Sequence, residues 1–107
     1  MHTGCEARFF ETFVVSELIR NARNNGDFSS FYFYREENGN AEIDLIKEPN
    51  GKLYPIEIKL NSTPKASMAG YFSRLDKNER GMGTIICLND KKTILASDLL
   101  VMPVSLL

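Results

Sequence analysis

Two carboxylates and one ammonium within the run Glu42 to Leu60 are the residues of this 107-residue chain best suited to chemistry. Glu42-Ile43-Asp44-Leu45-Ile46 and Pro55-Ile56-Glu57-Ile58-Lys59-Leu60 each alternate charged and apolar residues at period two, and Asn50-Gly51 lies between them. That dipeptide is the strongest short-range signal for a two-residue hairpin turn. Strands folded symmetrically about it place Asp44 across from Glu57 and Glu42 across from Lys59. Facing residues of an antiparallel pair have Cβ atoms about 4.5 to 5.5 Å apart, and like charges there repel. A hard divalent cation answers that repulsion, because Mg²⁺ prefers oxygen ligands and is held by one or two carboxylates with waters and substrate phosphate completing its shell. The plain alternative is a solvated face on which Glu42 pairs with Lys59 and both acids point into water.

Several elements must position these groups. From Glu6 to about Asn25 the pattern is helical, with Phe10, Phe13, Val14 and Leu18 as the apolar stripe and Gly26 as the stop. At the helical period Glu17 falls inside that stripe and Glu11 at its edge. A carboxylate in an apolar stripe needs a partner: for Glu17 the choices are a salt bridge to Arg35 or a place facing Asp44 and Glu57. Phe28 to Arg35 is aromatic-rich and strand-like, and Asn38-Gly39 turns the chain into the strand Ala41 to Lys47, which completes a three-stranded meander. Ser62-Thr63-Pro64 is a capping and first-turn signature, so a second helix is expected to about Asn78, with Met68, Tyr71, Phe72 and Leu75 on its inner face. On that helix Lys65, Arg74 and Lys77 are solvated residues or phosphate contacts. Thr84 to Leu88 reads as a buried strand and Thr93 to Ala96 as another beyond the Asn89-Asp90 turn. The Ile56 strand, the second helix and the Ile85 strand make a right-handed crossover. Leu99 to Leu107 is expected as an edge strand, a core-packed tail or a contact with something further, homodimerisation included.

Composition narrows the function classes. With 43% hydrophobic and 25% charged residues the chain suits one domain, residues 1–107, with one core. A net charge of −1 offers no broad positive field, so phosphate binding has to be local. Cys5 and Cys87 are too few for a disulfide framework or a thiolate zinc site. The sole histidine, His2, is expected at a frayed end, which argues against histidine-activated nucleophiles. The sequence shows neither a leader pattern nor a long apolar run, so a cytoplasmic setting without a membrane partner is expected. A glycine-rich phosphate loop is missing as well.

An acid on the first helix, then Asp44, then Glu57-Ile58-Lys59, in the order αβββαβ, resembles the PD-(D/E)XK nuclease superfamily. The motifs Phe10-Glu11-Thr12-Phe13-Val14-Val15-Ser16-Glu17-Leu18, Tyr34-Arg35, Glu42-Ile43-Asp44-Leu45 and Pro55-Ile56-Glu57-Ile58-Lys59 resemble the C-terminal domain of a large prokaryotic family of AAA+ ATPases. The resemblance implies an α/β, restriction-endonuclease-like core with a mixed central sheet flanked by helices. It further implies that Asp44, Glu57 and the Ile58 carbonyl bind Mg²⁺, with Mn²⁺ as substitute, and that Lys59 orients the attacking water or stabilises transition-state charge. Glu17 is the better match to the helix acid by its place in the stripe, with Glu11 as rival. DNA is the implied substrate and an AAA+ module the implied partner, the chain then being a C-terminal fragment. Ile43 stands where the motif name has proline, a variation the superfamily tolerates. The competing expectation is a non-catalytic nucleic-acid-binding or protein-interaction domain of the ATPase.

Overall fold

The computed structural model describes residues 4–107, so the expectation for His2 lies outside the described residues. The chain opens with helix α1 (Gly4–Asn24) and continues through β1 (Ser30–Arg35), β2 (Glu42–Glu48) and β3 (Tyr54–Ile58). A 3₁₀ segment (Ala66–Arg74), β4 (Gly83–Cys87), β5 (Thr93–Ala96), β6 (Leu99–Pro103) and a final 3₁₀ turn (Val104–Leu106) follow. The six strands form one mixed sheet in the order β1-β2-β3-β4-β6-β5. The β1-β2-β3 meander is antiparallel, β3 and β4 are parallel, β4 and β6 are parallel, and β5 returns antiparallel along β6. This is the α/β fold with a mixed central sheet that the sequence led us to expect.

Local chemistry explains most element ends. Helix α1 stops because Gly26 takes φ 74°, a left-handed conformation that costs glycine little. Its N–H bonds the Arg23 carbonyl and the Asp27 N–H bonds the Ala22 carbonyl, the paired closure of a Schellman motif. The β2-β3 turn has Asn50 at φ 56° and Gly51 at φ 86°, both positive as a type I′ turn requires. The expected register follows from it: Lys47 pairs with Tyr54, Ile46 with Pro55 and Leu45 with Ile56.

Two expectations about elements are corrected. The second helix is a 3₁₀ segment broken at Ala69 (φ −100°, ψ 22°), next to Gly70, and Lys65 at its start supplies no side-chain cap. Ahead of the segment the Thr63 N–H is held by Asn61 Oδ1 at 2.6 Å, an Asx-type turn. Its apolar side packs in part as read: Phe72 is buried and Met68 and Leu75 lie against the same core, but Tyr71, expected beside them, is exposed. Of the alternatives for Leu99 to Leu107, packing on the core holds and the edge strand does not. The Leu99 strand lies between β4 and β5, where Val101 is fully buried, and β5 forms the edge.

Side chains fill both faces of the sheet. Val14 of α1 packs with Leu45, Ile56, Ile58 and Ile86 on one side. On the other, Phe72 packs with Ile43, Ile46, Ile85, Cys87, Leu99 and Val101. The Cys87 thiol is buried as expected and lies 3.1 Å from Asn89 Oδ1. Among the described residues no helix is long and apolar enough to cross a membrane.

Candidate functional site

A step in β2 organises the acids. Tyr32 pairs with Ile46 and Tyr34 with Ile43, so Asp44 and Leu45 together oppose Phe33. This β-bulge inserts one extra residue and shifts the facing of everything beyond it. The cores record the shift: Ile43 and Leu45 are two apart yet pack on opposite faces, while Ile43 and Ile46, three apart, share one.

At this step the hairpin ladder opens. Beyond the Leu45–Ile56 pair, the Ile58 N–H is donated to Asp44 Oδ2 at 2.8 Å. Glu57 is 8% exposed, and its Oε2 lies 3.0 Å from Lys59 Nζ. Burial, and then the nearby charge of Asp44, push the Glu57 carboxyl up to about 7 against the pull of Lys59. Burial also raises Asp44, with the Ile58 N–H and Lys59 acting in the opposite sense. Burial alone would lower the Lys59 ammonium, but its hydrogen bond to Glu57 and the charges of Glu57, Asp44 and Glu11 leave it raised, so it stays protonated.

The helix contributes Glu11 to this cluster. Its carboxyl is raised by burial, by Asp44 and by Glu42, while Lys59 and Arg35 oppose the shift. Glu11, Asp44 and Glu42 line a cavity of about 390 Å³ together with Phe33 and Arg35. Glu57 and Lys59 open on a second cavity of about 460 Å³ beside Ser67 and Tyr71 of the 3₁₀ segment. The acid pair thus lies between two hollows, with four carboxylates (Glu11, Glu42, Asp44, Glu57) against two cations (Lys59, Arg35). An excess of two negative charges in a half-buried setting attracts a divalent cation or a proton.

Glu17, expected as the helix acid, is placed apart from these groups. It is paired with Arg20 three residues on, and Arg35, its other expected partner, pairs with Glu42 at 3.1 Å. The reason is the orientation of α1. Phe13 is 56% exposed, whereas Phe10, Val15 and Leu18 pack with the buried Val14 against the sheet, so the covered side runs away from Phe13. Glu11, Val14, Leu18 and Ala22 follow each other at spacings of three and four, and that stripe carries Glu11 rather than Glu17. Six residues separate the two acids by about 9 Å along the axis and by well over a quarter-turn around it, so both cannot reach one site. The Glu42–Lys59 pairing is likewise not formed: Glu42 is the register partner of Arg35, and Lys59 turns to Glu57. Among the described residues no group of three or more His, Cys, Asp and Glu side chains is disposed to hold a metal ion. The donors on offer are therefore two carboxylates and main-chain oxygen.

Helix, meander and parallel extension, with an acidic cluster at the hairpin step, define a mixed α/β sheet domain whose polar chemistry is concentrated at one point of β2 and β3. The chain belongs to the family described as Domain of unknown function (DUF4143), which it matches over residues 7–107. No curated protein and no solved structure matches it.

Proposed function

We propose that this domain is a Mg²⁺-dependent nuclease-like domain of the PD-(D/E)XK type that hydrolyses DNA phosphodiester bonds in association with an AAA+ ATPase. The observation that carries the reading is the meeting of Glu11, Asp44, Glu57 and Lys59 at the opening of the hairpin, where burial raises all three acids and the charge of Asp44 raises Glu11 and Glu57 further. Carboxylates so destabilised suit a hard cation, and a site with two of them matches the habit of Mg²⁺ to keep waters and take phosphate oxygen. Asp44, Glu57 and the Ile58 carbonyl would hold the ion. When bound, it polarises a phosphodiester and lowers the pKa of a bound water.

The remaining work falls to the chain. Lys59, protonated and tethered by Glu57, offsets negative charge that develops on phosphorus oxygens. Glu11 takes the helix-acid place, where its proton-seeking carboxylate orients water on the Asp44 side. The test is incubation of the chain with Mn²⁺ or Mg²⁺ and single-stranded, duplex and branched DNA, beside Lys59→Ala and Asp44→Asn. Cleavage lost in both variants supports the assignment, and undiminished cleavage by Lys59→Ala overturns it.

One observation favours a second reading, a non-catalytic nucleic-acid-binding or interaction domain of the ATPase. The cluster is internally satisfied, with Glu57 on Lys59 and Asp44 on the Ile58 N–H, and among the described residues no buried side-chain nitrogen or oxygen lacks a partner. Calorimetric titration with Mn²⁺, alone and with DNA, separates the two, and absence of binding in both cases favours the second.

A further inference from the structure

Exposed aromatic rings stand over both hollows that flank the acid pair. Phe33 lines the Asp44 side and is 74% exposed, and Tyr71 lines the Glu57 side and is 43% exposed. Neither ring completes a buried cluster. Phe33 is set outward by the bulge, because it is the one β1 residue opposed by both Asp44 and Leu45. Tyr71 is backed by the Arg74 guanidinium, 5.8 Å from its ring centre. Arg74 in turn pairs with Glu36, which accepts the Tyr34 hydroxyl proton at 2.9 Å, so the two sides are braced against each other.

The cations that line the two hollows are engaged in ion pairs. Arg35 is paired with Glu42, Arg74 with Glu36 and Lys59 with Glu57, and the chain as a whole carries −1. Duplex binding draws mainly on unpaired cations placed along the phosphates. Single strands need fewer, because unpaired bases stack on exposed aromatic faces whatever their sequence.

We propose that Phe33 and Tyr71 are base-stacking platforms on either side of the acid pair, and that the nucleic acid this domain takes is single-stranded DNA laid across Asp44 and Glu57. This rests on the reading of Asp44, Glu57 and Lys59 as a phosphodiester site, and it adds the strandedness of the substrate and two positioning residues. Bases on the two rings hold the intervening backbone over the carboxylates.

The test is fluorescence anisotropy with a short labelled single-stranded DNA, its duplex and the matching RNA, with Ca²⁺ in place of Mg²⁺ so that the carboxylates are met by an oxygen-seeking cation and do not repel the phosphates. Tighter binding of the single strand is expected, weakened about tenfold by Phe33→Ala or Tyr71→Ala, in line with the loss of one stacked base, and retained by Tyr71→Phe. Both rings are exposed, so circular dichroism of the alanine variants should be that of the parent. Preference for the duplex or for RNA, or unchanged binding in the Phe33→Ala/Tyr71→Ala double variant, overturns the proposal. Ring-dependent binding of single strands without cleavage in Mn²⁺ leaves it standing while removing the nuclease reading. Cleavage of a duplex that ignores both rings does the reverse.

Discussion

The Ile58 N–H is donated to the Asp44 carboxylate at 2.8 Å, fourteen residues away in sequence, at the point where the β2-β3 ladder stops. A side chain has taken over the work of a main-chain acceptor. Asp44 is therefore both a structural and a chemical residue, and the two roles separate by substitution. Asp44→Asn keeps an acceptor oxygen and removes the charge, whereas Asp44→Ala leaves a half-buried N–H without its partner. The alanine variant should be less stable than the asparagine variant by about 1–3 kcal/mol in urea denaturation. Equal stability would remove the structural role.

Stability should fall as pH rises. Glu57 is held at about 7 in the folded protein and sits at 4.5 when unperturbed. The folded chain thus keeps a proton that the unfolded chain has released, so the contribution is fully present below about pH 4.5 and lost as pH climbs through about 7. Glu57→Gln should flatten this slope in urea titrations between pH 5 and pH 8. A parent protein equally stable across that range would contradict the burial and repulsion argued for this carboxyl.

Divalent cations should reverse that trend. At pH 8, Mn²⁺ should raise the melting temperature of the parent chain and not that of Asp44→Asn, because an ion bound only by the folded state stabilises it by mass action. No shift for the parent, alone and with DNA, would count against the metal site.

The two helix acids should behave differently. Glu11→Gln should weaken Mn²⁺ binding severalfold, since Glu11 adds negative charge beside Asp44. Glu17→Gln should leave binding unchanged and cost at most about 0.5 kcal/mol of stability, the worth of a helix-surface ion pair with Arg20. Calorimetric titration of both variants decides between them.

Packing at the start of β4 gives a test away from the acids. A Cβ at Gly83 would come within 2.6 Å of the buried Phe72 ring. Gly83→Ala should destabilise by about 1–3 kcal/mol, the usual cost of overpacking. Phe72→Leu in the same chain should return part of that loss, a non-additivity expected of touching residues.

Much was legible before any coordinates. Asn50-Gly51 sets a two-residue turn through local φ preferences, and the register that follows needs nothing from the rest of the chain. The α1 stop at Gly26, the meander and the buried run around Ile85 are local in the same sense, since each rests on backbone conformation or on short-range apolar periodicity. The polar candidates Asp44, Glu57 and Lys59 also stood out, because charge alternating with isoleucine in a strand is visible in the letters alone.

What the tertiary structure decided is which of these groups meet. The bulge opposite Phe33 depends on β1 and β2 being paired, and it carries Asp44 to the Ile58 N–H and the field of Glu11. The choice of Glu11 over Glu17 was made by the sheet, which packs on Val14 and Leu18 and leaves Phe13 in solvent. A helix wheel shows an apolar stripe but not which side of it a neighbour will cover. The short 3₁₀ segment and the interior place of β6 have the same origin: packing against strands distant in sequence overrides a capping signature and a proline that locally promised a helix and an edge.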